Sequence, residues 1–173
     1  QAEHDELAQC ILITKSRSFL EKVNKYINIQ LKNLPRLRIA KKSLVRNGIF
    51  IKINTDKDII EIVNKIAPEH LELNIVNYKN ISKKIVNAGS ICLGKYSVMA
   101  MTDYNVGSNH ILPTNSSARF SSGVSVNDFY KRISYINLSK KGIETLGPSV
   151  ITLAKYEGLV GHAESVKLRI RRK

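Results

Sequence analysis

The chain has 173 residues, 43% of them hydrophobic, which is enough for a core of one domain or of one domain and a fraction. No apolar stretch reaches the roughly 18 to 20 residues of a membrane span and no signal-peptide pattern appears, so a cytoplasmic protein with no membrane partner is expected. Lys and Arg number 28 against 14 Asp and Glu, a net charge of +14, but aromatic residues make up only 6% and do not interleave with the basic ones, so solvated surface and coding bias explain the charge better than a nucleic-acid site. A basic nucleic-acid-binding module, prompted by that charge and by the terminal "RIRRK", is the alternative reading.

The chain opens on "QAEH" without a methionine, as a processed chain or an incomplete sequence would. "AQCILIT" (8–14) predicts a strand, and "KSRSFLEKVNKYINIQLKNL" a helix, with Phe19, Leu20, Val23, Ile27 and Leu31 at helical spacing and Ser18 with Glu21 in capping-box form. "PRLRIAKKSLVRNG" predicts a second helix between Pro35 and Gly48, and "IFIKI" (49–53) a second strand. A third helix follows over "TDKDIIEIVNKIAP", capped by Thr55 or Asp56 and stopped by Pro68 ahead of "EHLEL". "ISKKIVNAG" reads as a short helix and "SICLG" (90–94) as a buried strand. Cys10 and Cys92 lie in apolar runs with no CxxC partner, as buried thiols of a reducing compartment do.

Alternating strands and helices imply an α/β fold built on a three-layer parallel sheet, with catalytic loops at the carboxyl ends of its strands. Residues 95–124 are rich in Ser, Gly and Asn, lack periodicity and read as a functional loop. Beyond them, a short capped turn and strand lead into two helices broken near Gly158 to Gly161, a tail too small to fold alone. The expected division is 1–124, part of a Rossmann-like domain with the active-site loops, and 125–173, a small mainly helical domain.

All four histidines stand in unusual company: "QAEH", "APEHL", "GSNHILPT" and "EGLVGH". Each taken alone fits a structural hydrogen bond better than a ligand role. "APEHL" sets Glu69 beside His70, the two commonest proton-transfer groups near neutral pH. Gln1, His4, Asp103 and His162 together would offer two imidazoles, a carboxylate and an amide oxygen, a donor set for Zn²⁺ or, less tightly, Mn²⁺ or Co²⁺, though their spacing matches no local metal motif. No glycine-rich dinucleotide fingerprint follows a strand.

Taken in order, "QAEHDELAQCILIT", "KIAPEHLEL", "NAGSICLGKYS", "TDYNVGSNHILPT", "ARFSSGVSVNDFYKR" and "LAKYEGLVGHAESVKLRI" resemble the histidinol dehydrogenase family from residue 1 to about 170. The resemblance implies a zinc-dependent, NAD-linked enzyme that takes L-histidinol through L-histidinaldehyde to L-histidine. It implies Glu69 as the base that activates water and His70 as the group that handles the alcohol proton and helps bind substrate. It places one zinc ion per subunit on Gln1, His4, Asp103 and His162, with those four residues, His70 and Glu157 around the substrate, and His110 in a substrate-side or supporting role. Val98 and Met99 stand where the family usually has Pro-Glu, and Thr102 where Gly is common. The resemblance further implies that the NAD-contacting residues precede "QAEH", so that this chain is a C-terminal portion without cofactor-binding residues and inactive alone. It implies a homodimer in which the tail, carrying Glu157 and His162, reaches the partner's site.

Overall fold

The computed structural model describes residues 1–171, and the last two residues of the "RIRRK" run lie outside them. The chain divides into two compact units, 1–128 and 129–173.

The first unit is built from parallel β-α segments. β1 (Ile11–Thr14) leads through α1 (Arg17–Gln30) and α2 (Leu37–Asn47) to β2 (Ile49–Lys52), which pairs with it in parallel, Ile11 opposite Ile49. After α3 (Asp56–Ile66) comes β3 (His70–Leu73), then α4 (Tyr78–Ser82) and β4 (Ser90–Leu93), with His70 opposite Ser90. The α/β class is as the sequence implies, but instead of one continuous sheet there are two two-stranded sheets among the described residues. The chain leaves the first sheet at Ile53, which turns into the core, and the second sheet begins afresh beyond α3. Side chains join what backbone hydrogen bonds do not. Ile53, Ile59, Val63, Leu73, Ile81 and Ile85 form one buried cluster, against which Ile13 and Ile51 of the first sheet and Leu71 and Ile91 of the second both pack. Each such aliphatic side chain removed from water stabilises the fold by about 1.5–3 kcal/mol.

Local chemistry sets the ends of the elements. α1 is capped by Ser16, whose Oγ accepts from the Phe19 N–H at 3.2 Å, and not by the Ser18–Glu21 box, because Ser18 already lies inside the helix. α3 has a complete capping box: Thr55 Oγ1 accepts from the Asp58 N–H and Asp58 accepts from the Thr55 N–H, each at 3.1 Å. The helix expected over 81–89 is shorter and earlier because Asn64 of α3 draws the chain away: its Oδ1 accepts from the N–H of Val86 and of Asn87, and its Nδ2 donates to the Lys84 carbonyl. The 95–124 segment is less bare than its composition implies, since it contains α5 (Met99–Tyr104) and a 3-10 turn at Ser117–Arg119.

Among the described residues no strand follows residue 125; a 3-10 turn at Val126–Phe129 is followed by a segment without regular structure up to Leu138. Ser139 then caps α6 (Lys140–Tyr156), accepting from the Gly142 N–H at 3.1 Å, and α7 (Val160–Arg171) folds back on it. A Cβ at buried Gly147 would stand 2.5 Å from Ile170 Cδ1, so any larger residue there would have to displace the Ile170 side chain of α7. No described helix is long and apolar enough to cross a membrane.

Candidate functional site

Glu69 and His70 are positioned by the end of α3. The helix stops at Ala67, fully buried with the left-handed backbone φ 51°, ψ 62°, and Pro68 forbids another turn. The freed carbonyls at this end take up side chains from the loop beyond Pro113: Ser116 Oγ donates to the Ile66 carbonyl at 2.7 Å, and Arg119 donates to that of Lys65. Ser116 and its neighbour Asn115 also have positive φ, 62° and 51°, as Ala67 does, and the Ser116 bond falls on the carbonyl of the residue before Ala67. Backbone held in such conformations persists where surrounding contacts over-determine it.

From this turn the chain enters β3. Its first backbone bonds go to β4, with the Gly89 N–H donating to the Pro68 carbonyl and the Ser90 N–H to the Glu69 carbonyl, each at 2.9 Å. The pair therefore sits at the amino end of β3 and not at a carboxyl end, where the sheet argument places catalytic loops. The difference follows from Ala67–Pro68, which bring the helix end directly onto the strand. Glu69 Oε1 lies 3.4 Å from His70 Nε2, beyond ordinary hydrogen-bond length, with the side chains 32% and 16% exposed. His70 Nδ1 is buried with no hydrogen-bond partner, although such atoms are nearly always satisfied. A half-exposed carboxylate and an imidazole with an unmatched ring nitrogen can each exchange a proton with a third molecule.

Asp103 lies half-buried on α5, which follows the carboxyl end of β4. Glu72 of β3 ties that helix down, its Oε1 accepting from the Met99 N–H at 2.7 Å. Opposite Glu72 in the sheet is Cys92, almost fully buried; burial raises its thiol pKa, and the charges of Glu72 and Asp103 add to the effect. Gln1 and His4 form one exposed turn, in which the His4 N–H donates to the Gln1 carbonyl at 3.1 Å. Arg36 donates to the His4 carbonyl, and Ser43 Oγ, in the buried face of α2, to that of Ala8, so the segment is stitched to α2. Gln1 also edges an open, mainly apolar groove lined by Ile27, Leu31 and Leu44, with Glu3 at its margin.

The remaining candidates lie elsewhere. His110 is exposed in the loop before Pro113. Glu157 caps the end of α6 and His162 lies in the first turn of α7, both exposed in the second unit. Among the described residues, no three His, Cys, Asp or Glu side chains gather as a metal cluster. The side chains of Gln1, His4, Asp103 and His162 enter no hydrogen bond or ion pair there, so their donor atoms are available, and two imidazoles, a carboxylate and an amide oxygen suit zinc. Glu72, Ser116 and Arg119 were not singled out from the sequence. Alternation in "EHLEL" puts Glu72 on the same strand face as His70, a signal that was there to read, whereas nothing local announces Ser116 or Arg119.

A parallel α/β unit presents here a carboxylate–imidazole pair at a strand entrance, with a second carboxylate close to the same sheet, groups whose chemistry allows proton exchange. The family model for histidinol dehydrogenase matches residues 1–170. The chain is 76% identical to histidinol dehydrogenase of Pelagibacter ubique over all 173 residues, and 44% identical to that of Listeria monocytogenes over 169; each match spans 40% of the relative. A crystal structure of histidinol dehydrogenase from Elizabethkingia anophelis superposes with a TM-score of 0.90 at 39% identity, covering 98% of this chain and 39% of that one. The chain belongs to the histidinol dehydrogenase family, and it spans about two-fifths of the length of the curated relatives it matches.

Proposed function

We propose that this chain is the part of an NAD-linked histidinol dehydrogenase that carries its proton-transfer pair and its metal ligands, acting in the last steps of histidine biosynthesis. The observation that carries the reading is the Glu69–His70 pair, with 3.4 Å between Oε1 and Nε2 and the second imidazole nitrogen buried and unpartnered.

His70 receives the hydroxyl proton as the alcohol of L-histidinol becomes the aldehyde. Its position at the mouth of β3 keeps the ring mostly out of water, with Nε2 turned toward Glu69. Glu69, the more exposed of the two, takes a proton from the water that adds to the aldehyde, whose second oxidation yields the carboxylate of L-histidine. Gln1, His4, Asp103 and His162 are the residues that would hold zinc, with Glu157 and His70 beside the substrate and His110 supporting. When bound, zinc supplies a fixed positive anchor for the substrate's imidazole and amine, and NAD accepts the hydrides.

Glu157 and His162 lie in the second unit, whose α6 leaves Leu146, Val150 and Leu153 exposed at helical spacing. That apolar stripe supports a homodimer in which the tail of one subunit completes its partner's site. The two cysteines, both free, suit a cytoplasmic setting. The alternative of a nucleic-acid-binding module has no observation in its favour: Lys15, Lys42, Lys57 and Lys167 each face a carboxylate.

The test is histidine formation from L-histidinol by the full-length protein, followed through NADH. Glu69→Gln is expected to lower the rate roughly 100- to 10,000-fold, the share a general base commonly supplies. An unchanged rate would remove Glu69 from the role of base.

A further inference from the structure

Resting on the reading of Asp103 as a metal ligand, we infer that Glu72 is a positioning residue for the metal site, holding through the Met99 N–H the short helix on which Asp103 is carried.

α5 has little of its own to fix it. It is six residues long, its N-cap Val98 supplies no side-chain hydrogen bond, and its first turn contains no acidic residue. Isolated helices of that length are unstable in water, and the amino end of a helix exposes N–H donors that need an acceptor. Glu72 supplies the acceptor from another element, its Oε1 2.7 Å from the Met99 nitrogen. The carboxylate thus provides both the missing cap and the negative charge that a helix amino terminus favours. Farther along, Thr102 Oγ1 donates to the Met99 carbonyl and Ser108 Oγ to that of Thr102, but both partners lie in this same loop. Glu72 is the side chain that bonds α5 to the sheet.

Its location makes the link specific. Glu72 is two residues beyond His70 on β3, so both side chains stand on one strand face, and its cross-strand partner Cys92 feels the charges of both Glu72 and Asp103. One strand therefore bears the imidazole at its start and, one alternation later, the carboxylate that anchors the helix of the metal-binding Asp. A ligand held by a tethered helix loses less freedom when it binds a cation, which is the role outer-sphere partners of metal ligands play.

The experiment measures zinc affinity in the full-length protein by competition with a chromogenic chelator, independently of turnover, beside the thermal midpoint of the metal-free protein. Glu72 is exposed, so its replacement opens no core. Glu72→Ala is expected to weaken zinc about 10-fold, in the range that loss of outer-shell partners commonly costs. Glu72→Gln retains an oxygen of the same reach and should restore most of the affinity. Glu72→Asp keeps the charge but falls short by one methylene, and should resemble Glu72→Ala. Equal zinc affinity in parent and Glu72→Ala, with Asp103→Asn weakened, would overturn the positioning role alone. Loss of affinity in Glu72→Gln with Glu72→Asp intact would assign the effect to charge and overturn it too. If Asp103→Asn bound zinc as tightly as the parent, the ligand reading would fall and this inference with it.

Discussion

Gly89→Ala tests whether the seating of the Glu69–His70 pair depends on the close approach between β3 and β4. A Cβ built at Gly89 stands 2.5 Å from the Glu69 carbonyl oxygen and 3.1 Å from Cδ of Pro113. The first distance is shorter than real Cβ contacts reach, and the obstacle is backbone, which cannot swing aside as a side-chain tip can. That carbonyl is engaged with the Ser90 N–H, and the Gly89 N–H with the Pro68 carbonyl, each at 2.9 Å. Relief of the clash must lengthen both bonds or push back the loop at Pro113. Two backbone hydrogen bonds at about 1 kcal/mol each, with about 1–2 kcal/mol of overpacking, give about 3–4 kcal/mol of destabilisation. Urea unfolding of the full-length protein should show the loss as a lower midpoint, and the histidinol assay should show a rate lowered beyond what the unfolded fraction explains, since Glu69 moves with its carbonyl. A variant with the parent's midpoint and rate would refute the argument that this contact seats the pair.

Two further outcomes are expected. Because the Cys92 thiol has its pKa raised in the folded protein, chiefly by burial, its contribution to stability is full below the unfolded value near 9.0 and is lost as pH rises through the folded value. Urea midpoints measured from neutral to alkaline pH should thus fall more steeply for the parent than for Cys92→Ala. His162→Ala in the full-length protein should weaken zinc binding in the same chelator competition used for Glu72, while parent-like affinity would remove the tail from the metal site.

Much of the first unit was legible because its signals are local. Helical spacing and Thr55, Pro68 and Gly48 marked α1 to α3 within a few residues, and apolar runs marked β1, β2 and β4, whereas β3, "HLEL" without a β-branched residue, went unread. The errors fall where a distant residue decides. Asn64 takes over the backbone donors of Val86 and Asn87, which no periodicity in "ISKKIVNAG" reveals. α5 depends on Glu72, 27 residues back, so its loop-like sequence concealed it. The Glu69–His70 pair could be read as chemistry from adjacency alone, but its place at the amino end of a strand required the left-handed Ala67 and the bond from Ser116 to the preceding Ile66 carbonyl, 50 residues away. Gln1, His4, Asp103 and His162 were connected only through family resemblance, since no spacing rule reaches from one end of the chain to the other.

The separate registers of the two sheets bear on how the chain folds. In the second sheet His70 meets Ser90, 20 positions on, whereas in the first Ile11 meets Ile49, 38 positions on. Closing the longer loop costs about 0.6 kcal/mol more chain entropy, from the logarithmic dependence on length. Topology of this kind favours the more local pairing as the earlier event. On loop closure alone, the half of the unit that bears Glu69 and His70 is the half favoured to order first, and the segment from Gln1 to β2 would add to it through Ile13, Ile51 and Ile53.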